Sequence, residues 1–428
     1  MKHNELDASD GDRAPGGLSR RDQWHAVTAG YLGWTLDAFD FFVLVFLVDV
    51  LAVQFGVPKS AIIWTLTATL AMRPVGAVIF GVLADRYGRR GPLMANVVFF
   101  SVIELLCGFA PNYTIFLLLR MLYGIGMGGE WGVGASLAME SAPKRLRGLL
   151  SGILQSGYSM GYLLAAVAAR IVLPNLGWRA MFWVGGLPAL LALYIRFNVK
   201  ESEAWKQHRV PTMGAVVKTA VSYRRIFSYL ALLMTLMVFL SHGTQDLYPD
   251  FLKSVHGVLP KTVSYLAILY NIGAILGAIV FGELSQSFGR RKGMIAALML
   301  TMLAIPAWAF GGSLLVLAAG AFFVQAGVQG AWGIIPAHIN ELSPNSVRGL
   351  LPGFAYQLGI LFAAGTGTIE YALRNHFGYA WAIAGFEITN ILILATVVAL
   401  GSERHGKDFG GQDAKPIAAL LSASSVSP

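Results

Sequence analysis

Gly81-Val-Leu-Ala-Asp85-Arg86-Tyr-Gly88-Arg89-Arg90 is a short basic turn set between two long apolar runs. It returns 201 positions later as Gly282-Glu-Leu284-Ser-Gln286-Ser-Phe-Gly289-Arg290-Arg291. The same offset carries Gly76, Ala77 and Phe80 onto Gly277, Ala278 and Phe281, and Trp131-Gly132 onto Trp332-Gly333. It also carries Glu140, Pro143, Arg147 and Gly148 onto Glu341, Pro344, Arg348 and Gly349 without a gap. Self-similarity at a fixed period marks a duplicated architecture. The reading therefore predicts two halves of like construction.

Composition says what kind of halves these are. Of 428 residues only 13% are charged and 56% are hydrophobic, and the mean hydropathy is +0.61. A soluble domain of this length needs far more polar surface. The net charge of +9 lies in short clusters between apolar runs. That pattern is membrane topology and not a nucleic-acid-binding face. The one cysteine, Cys107, excludes a disulfide framework and a cysteine metal site within one chain. The first 22 residues are polar and mixed in charge, so no cleavable leader is expected.

Apolar stretches of about 20 residues are long enough to span a bilayer as helices. Twelve are expected, near 25–50, 60–82, 92–110, 113–140, 149–172, 180–199, 227–249, 261–282, 292–309, 313–339, 349–373 and 379–400. The predicted fold class is an all-α membrane protein of two pseudo-symmetric six-helix bundles. The expected organisation is a tail over 1–23, a bundle over 24–199, a linker over 200–225, a second bundle over 226–400 and a tail over 401–428. Arg86, Arg89 and Arg90, then Lys144, Arg145 and Arg147, then Arg290, Arg291 and Lys292 fill the turns on one side. Lys and Arg favour cytoplasmic loops, so these turns and both termini are expected in the cytoplasm. Asn112-Tyr-Thr114 has the form of a glycosylation sequon but sits in a very short turn. The glycines from Gly124 to Gly134 allow close helix packing. They lack the Lys-Ser/Thr ending of a nucleotide loop.

The turn G-x-L-x-D-R-x-G-R-R, with E-x-x-P-x-x-x-R-G in both halves, resembles the signature of the major facilitator superfamily. The resemblance implies twelve helices around a central cavity and alternating access. It also implies a gate of inter-helix contacts among Asp85, Arg86, Arg89, Arg90, Glu140, Arg147, Arg290, Glu341 and Arg348. Gln286 stands where the first copy has Asp85, so the second gate contact is expected to be the weaker.

Ionisable residues inside a membrane are costly and face a cavity or a partner. At about 1.5 Å per helical residue, Asp37, Asp40, Arg73, Glu104 and Arg120 fall near one depth, with Glu130 somewhat nearer the cytoplasm. Asp37 and Asp40, three apart, share a helix face. Two readings stand: permanent salt bridges to arginines, or a carboxylate that takes up and releases a proton as its arginine contact moves. Proton-coupled sugar porters of the superfamily look similar, with an acid on helix one and an arginine on helix four. Arg120-Met-Leu-Tyr-Gly124 fits that setting. The proton-coupling candidates are Asp37, Asp40, Glu104, Arg120 and Glu130.

On segment seven, Ser241-His242-Gly243-Thr244-Gln245-Asp246 places His242 and Asp246 at i and i+4, on one face. The alternative is ordinary packing of a hydrogen-bonded histidine. No second His or Cys stands at zinc spacing, so no metal is expected. The stretch resembles the helix-seven signature of the lactate and pyruvate permeases in the sialate:proton symporter family. Met72-Arg73-Pro74 and Tyr356-Gln357 resemble them too. Val238, Asp250 and Ile360 depart from the family pattern. The resemblance implies proton-coupled uptake of a small monocarboxylate such as lactate or pyruvate, with Arg73 on the carboxylate. His242, Gln245, Asp246, Gln357 and Asn271 complete the substrate-binding candidates. Rival readings are another organic acid, sialic or aromatic, and a non-transporting sensor. No catalytic residues and no cofactor beyond the coupling proton are expected. The expected partners are the substrate, protons and the lipid bilayer, without nucleic acid, for a monomer in a bacterial inner membrane.

Overall fold

A computed structural model describes residues 19–409. Most of the two expected tails therefore lies outside the described residues. Every regular element within them is helical. Twelve units follow in order. They begin with α1 (Arg20–Phe46), α2 (Lys59–Tyr87), α3 (Arg90–Cys107) and α4 (Tyr113–Ser141). Next, α5 and α6 share Arg147–Val184 and part at Gly177, whose φ of 77° breaks the helix. A further piece of α6 covers Ala189–Asn198. The second series is α7 (Arg224–Gln245), α8 (Pro260–Phe288), α9 (Arg290–Phe310) and α10 (Leu314–Leu342). It closes with α11, in two pieces, Leu351–Phe362 and Thr366–Phe377, and α12 (Tyr379–Leu400).

Helix ends obey the repeat. Lys59–Tyr87 and Pro260–Phe288 coincide when shifted by the 201-residue offset. Asn112 and Ser313, also so related, cap α4 and α10 by accepting the N–H of Ile115 and of Val316. Asn112 thus serves as a helix cap. Gly88 and Gly289, at φ 109° and 90°, let the basic turns adopt a backbone that other residues resist. Gly177 and Gly378, at 77° and 80°, end the fifth and eleventh helices.

Several expected boundaries move; segments two and eight, expected to end at 82 and 282, run on to Tyr87 and Phe288. Segment five stops at residue 172 by hydropathy, yet the helix runs on to the positive-φ Gly177. Polar Asn175 lowers the hydropathy without breaking the backbone. Segment seven ends at Gln245 rather than 249, and Pro249 opens the short helix Tyr248–Ser254.

Nine of the described helices are long and apolar enough to cross a membrane. Tyr113–Ser141 is not among them: its glycines, with Arg120 and Glu130, lower its hydropathy. Large apolar side chains such as Trp64, Leu303 and Leu315 stand exposed on the outside, as hydrocarbon contact requires. Between helices, lipid removes the usual hydrophobic drive and close packing holds the bundle. A Cβ at Gly132 would lie 2.6 Å from Gly353 Cα, and one at Gly152 would collide with Ala278 O. These two contacts join α4 to α11 and α5 to α8, near the end that carries the basic turns.

Candidate functional site

The first and second sets of six helices meet at that basic end through a symmetric ion network. Arg89 donates to Glu140 at 3.0 Å within the first set, and Arg348 crosses to Glu140 at 3.3 Å. Arg290 donates to Glu341 at 3.0 Å within the second set, and Arg147 crosses to Glu341 at 3.2 Å. All of these side chains are buried. Asp85 accepts the N–H groups of Gly349 and Leu350, at 2.7 and 3.0 Å, where α11 begins. Its counterpart Gln286 accepts the Gly148 N–H at 3.0 Å and donates to Lys144 O at 2.9 Å. Each position thus makes two crossing bonds, but only those of Asp85 are charge-assisted. Arg86 and Arg90, expected in the gate, stay in their own half. Arg86 lies over the Tyr87 ring, and Arg90 donates to Arg196 O. From the linker, Ser202 bonds Glu140 and the Trp205 indole donates to Asp85 O. Phe409 lies between the Arg147 and Arg348 guanidinium groups, 3.9 Å from each.

Beyond this contact, away from the basic end, lies a cavity of about 330 Å³ between the two sets. Arg73, His242, Gln245 and Asp246 all line it. Arg73 is 3% exposed, and among the described residues its Nε and Nη2 have no hydrogen-bond partner. Its guanidinium sits 5.7 Å from the Tyr356 ring centre. His242 Nδ1 is 2.9 Å from Asp246 Oδ2, the i, i+4 pairing expected from the sequence. Five aromatic side chains, Phe41, Phe42, Tyr158, Trp332 and Tyr356, share the wall with aliphatic ones such as Leu66, Leu70 and Ile360. Tyr356 packs against Trp131 at 4.6 Å and Trp332 at 5.5 Å between ring centres.

Two expected substrate residues are elsewhere. Asn271 donates to Ala267 O of its own helix and does not line the cavity. Gln357 is buried away from it and donates across to Gly128 O at 3.3 Å. Gln357 shares α11 with the wall residues Tyr356 and Ile360 but points elsewhere, whereas Asn271 sits on α8, which contributes no residue to the cavity wall. The cavity also holds Gln155, Tyr158, Gln329 and Trp332, which the sequence reading missed. Trp332 had a signal, since Trp131 is its partner in the repeat.

The acid layer is buried and differently paired from expectation. Arg120 bonds Glu104 at 2.5 Å, with both side chains inaccessible, and forms no salt bridge with Asp37 or Asp40. Depth along a helix does not specify which neighbour an arginine faces. Tyr123 O–H donates to the Asp37 backbone carbonyl at 3.1 Å and lies 3.4 Å from its Oδ1. Among the described residues both carboxylate oxygens of Asp40 and of Glu130 lack a partner. Glu130 lies against Gly33, which has no side chain to displace it. Among the described residues no cluster of three or more His, Cys, Asp or Glu could hold a metal ion.

The family model for the Major Facilitator Superfamily matches residues 31–257, and the model for sugar and other transporters matches 227–402. The chain belongs to the Major Facilitator Superfamily. A Cupriavidus pinatubonensis protein named "Probable 4-methylmuconolactone transporter" is 31% identical, over 93% of this facilitator and 96% of its relative. The sialic acid transporter NanX of Escherichia coli is 28% identical, over 90% and 96%. A carboxylic acid transporter protein homolog of Saccharomyces cerevisiae is 31% identical over 83% of the chain, which spans 62% of that longer protein. The solved proton:xylose symporter XylE superposes with a TM-score of 0.73 at 19% identity, covering 91% of this chain and 98% of that one. The superposition establishes the shared fold. This facilitator is therefore a multi-pass integral membrane transporter and not an enzyme.

Proposed function

We propose that this facilitator takes up a small organic acid together with protons by alternating access. The observation that carries this reading is Arg73, a nearly buried cation in the cavity wall with two unpartnered donors. A guanidinium so placed suits a carboxylate, which can accept two parallel hydrogen bonds. The unpartnered Asp40 and Glu130, with Asp37, are the proton-carrying groups. The basic turns face the cytoplasm of a bacterial inner membrane, so the cavity admits substrate from outside.

Within this class, lactate and pyruvate are small members. A cavity of about 330 Å³ with five aromatic wall residues favours a flat, ring-sized acid over a three-carbon one. The relatives named for 4-methylmuconolactone, sialic acid, niacin and cis,cis-muconate support an organic acid larger than lactate. Binding of lactate, nicotinate and benzoate to the purified protein, measured by calorimetry, tests the reading. Arg73→Lys keeps the charge but loses the planar fork. It should weaken every acid that binds by more than about tenfold. Undiminished affinity in that variant overturns the carboxylate assignment.

A further inference from the structure

Gln325 on α10 is 2% exposed, behind the cavity wall, and its amide joins two residues of α7. The direction of this hydrogen-bond chain can be read from its far end. Thr244 Oγ1 lies 2.8 Å from Leu240 O and 3.2 Å from Ser241 O. Backbone carbonyls only accept, so the single hydroxyl hydrogen is committed to them. Thr244 Oγ1 can then only accept from its neighbour Gln325. The Gln325 atom facing it, at 3.1 Å, is the amide nitrogen. That leaves the Gln325 oxygen to accept from Gln245 Nε2, at 2.8 Å. Gln245 lines the cavity, and its Oε1, at the end of the chain, makes no hydrogen bond among the described residues.

We infer that Gln245 offers the substrate an acceptor and not a donor, locked in that sense by Gln325 and Thr244. The facilitator therefore selects acids that carry an O–H or N–H donor over those with a carbonyl at the same place. The inference rests on the proposed carboxylate reading, which fixes the other end of the substrate at Arg73. Two neighbouring groups do not impose this discrimination. His242 Nε2 donates or accepts according to protonation, and the Ser241 hydroxyl rotates. Asp246 also only accepts, but its Oδ2 is engaged by His242 Nδ1; among the neutral groups of this set Gln245 alone has a fixed sense. A hydroxyl meeting Gln245 Oε1 gains a hydrogen bond, whereas a carbonyl sets oxygen against oxygen.

The test is a matrix of dissociation constants on the purified protein. The probes are lactate, pyruvate and propionate, and 3-hydroxybenzoate, 3-formylbenzoate and benzoate. In whichever size class binds, the hydroxy acid should bind about tenfold or more tightly than its carbonyl analogue. Thr244→Val keeps the shape but removes the acceptor that orients Gln325. Both amides can then turn over, and the ratio should fall to within about threefold. Thr244→Ser, whose hydroxyl also bonds the preceding turn, should retain the ratio. Gln325→Met, removing the middle of the chain, should collapse it as Thr244→Val does. Equal or tighter binding of the carbonyl acid by the wild type overturns the inference, as does a ratio that survives both Thr244→Val and Gln325→Met. Wild-type affinities for all the acids in Arg73→Lys would instead sink the carboxylate reading, and this inference with it.

Discussion

Asp85→Asn should open the basic end of the molecule. Asp85 accepts from Gly349 and Leu350 of the other half at 2.7 and 3.0 Å. Its bond to Arg89, and that of Arg89 to Glu140, lie within one half and persist when the halves part. They cancel, to first order, between the closed and open states. Asparagine keeps one acceptor oxygen, now uncharged, and turns an NH₂ toward the second N–H. A charge-assisted bond is worth about 1.5–3 kcal/mol and a neutral one about 0.5–1.5. One bond demoted and one lost amount to about 2–4 kcal/mol. At about 1.4 kcal/mol per factor of ten, the closed-to-open ratio falls roughly 30- to 1,000-fold. Spin labels at the exposed positions Tyr87 and Lys292, in a Cys107→Ser background, read the separation across the basic end. A new long-distance population should appear in Asp85→Asn. The two neutral bonds of Gln286 predict a smaller shift for Gln286→Leu. Distance distributions in Asp85→Asn that match the parent would refute the reasoning.

Three further outcomes follow from the buried groups. Asp37→Asn and Asp40→Asn should leave the melting temperature nearly unchanged, since among the described residues Asp37 Oδ2 and both Asp40 oxygens have no partner to lose. At least one should abolish pH-driven accumulation in proteoliposomes while sparing counterflow. Normal accumulation by both moves the proton to Glu130 or Glu104. Glu104→Gln should be strongly destabilising, by about 3–5 kcal/mol, because it strands the buried Arg120; a wild-type melting profile would contradict this. Phe409→Ala removes a ring held 3.9 Å from one arginine of each half. At about 1–2 kcal/mol for such contacts, it should raise the open population about five- to thirtyfold in the same spin-label assay. An unchanged distribution would show that the ring does not bridge the halves.

Much of this was legible in the residues because duplication leaves a ruler. The offset linking Asp85 to Gln286 also links the caps Asn112 and Ser313 and the cross-pairing arginines Arg147 and Arg348. Arg73, His242, Gln245 and Asp246 reached one cavity because a charged or paired polar residue in a membrane helix needs a polar place to face. What stayed hidden depends on rotation and neighbours. Depth alone suggested Arg120 for the aspartates, and only packing shows Glu104 as its partner. Gln357 sits on a wall helix but turns away from the cavity, and Asn271 sits on α8, which does not reach the wall. The aromatic wall was invisible because a cavity-facing Tyr158 reads like a core one in a single sequence. Gln325 acts through Thr244 and Gln245, and nothing in its local spacing marks it. Phe409 lies in a stretch with no helical period to place it.

The most direct test of proton-coupled acid uptake is accumulation in proteoliposomes under an imposed pH gradient. Radiolabelled lactate, nicotinate and 3-hydroxybenzoate would be followed with wild-type protein and with Arg73→Lys. At least one acid should accumulate above equilibrium when the outside is acid. That accumulation should collapse when a protonophore removes the gradient, and should be lost in Arg73→Lys. Concentrative uptake that persists with the protonophore present, or that Arg73→Lys carries as well as the wild type, would contradict it.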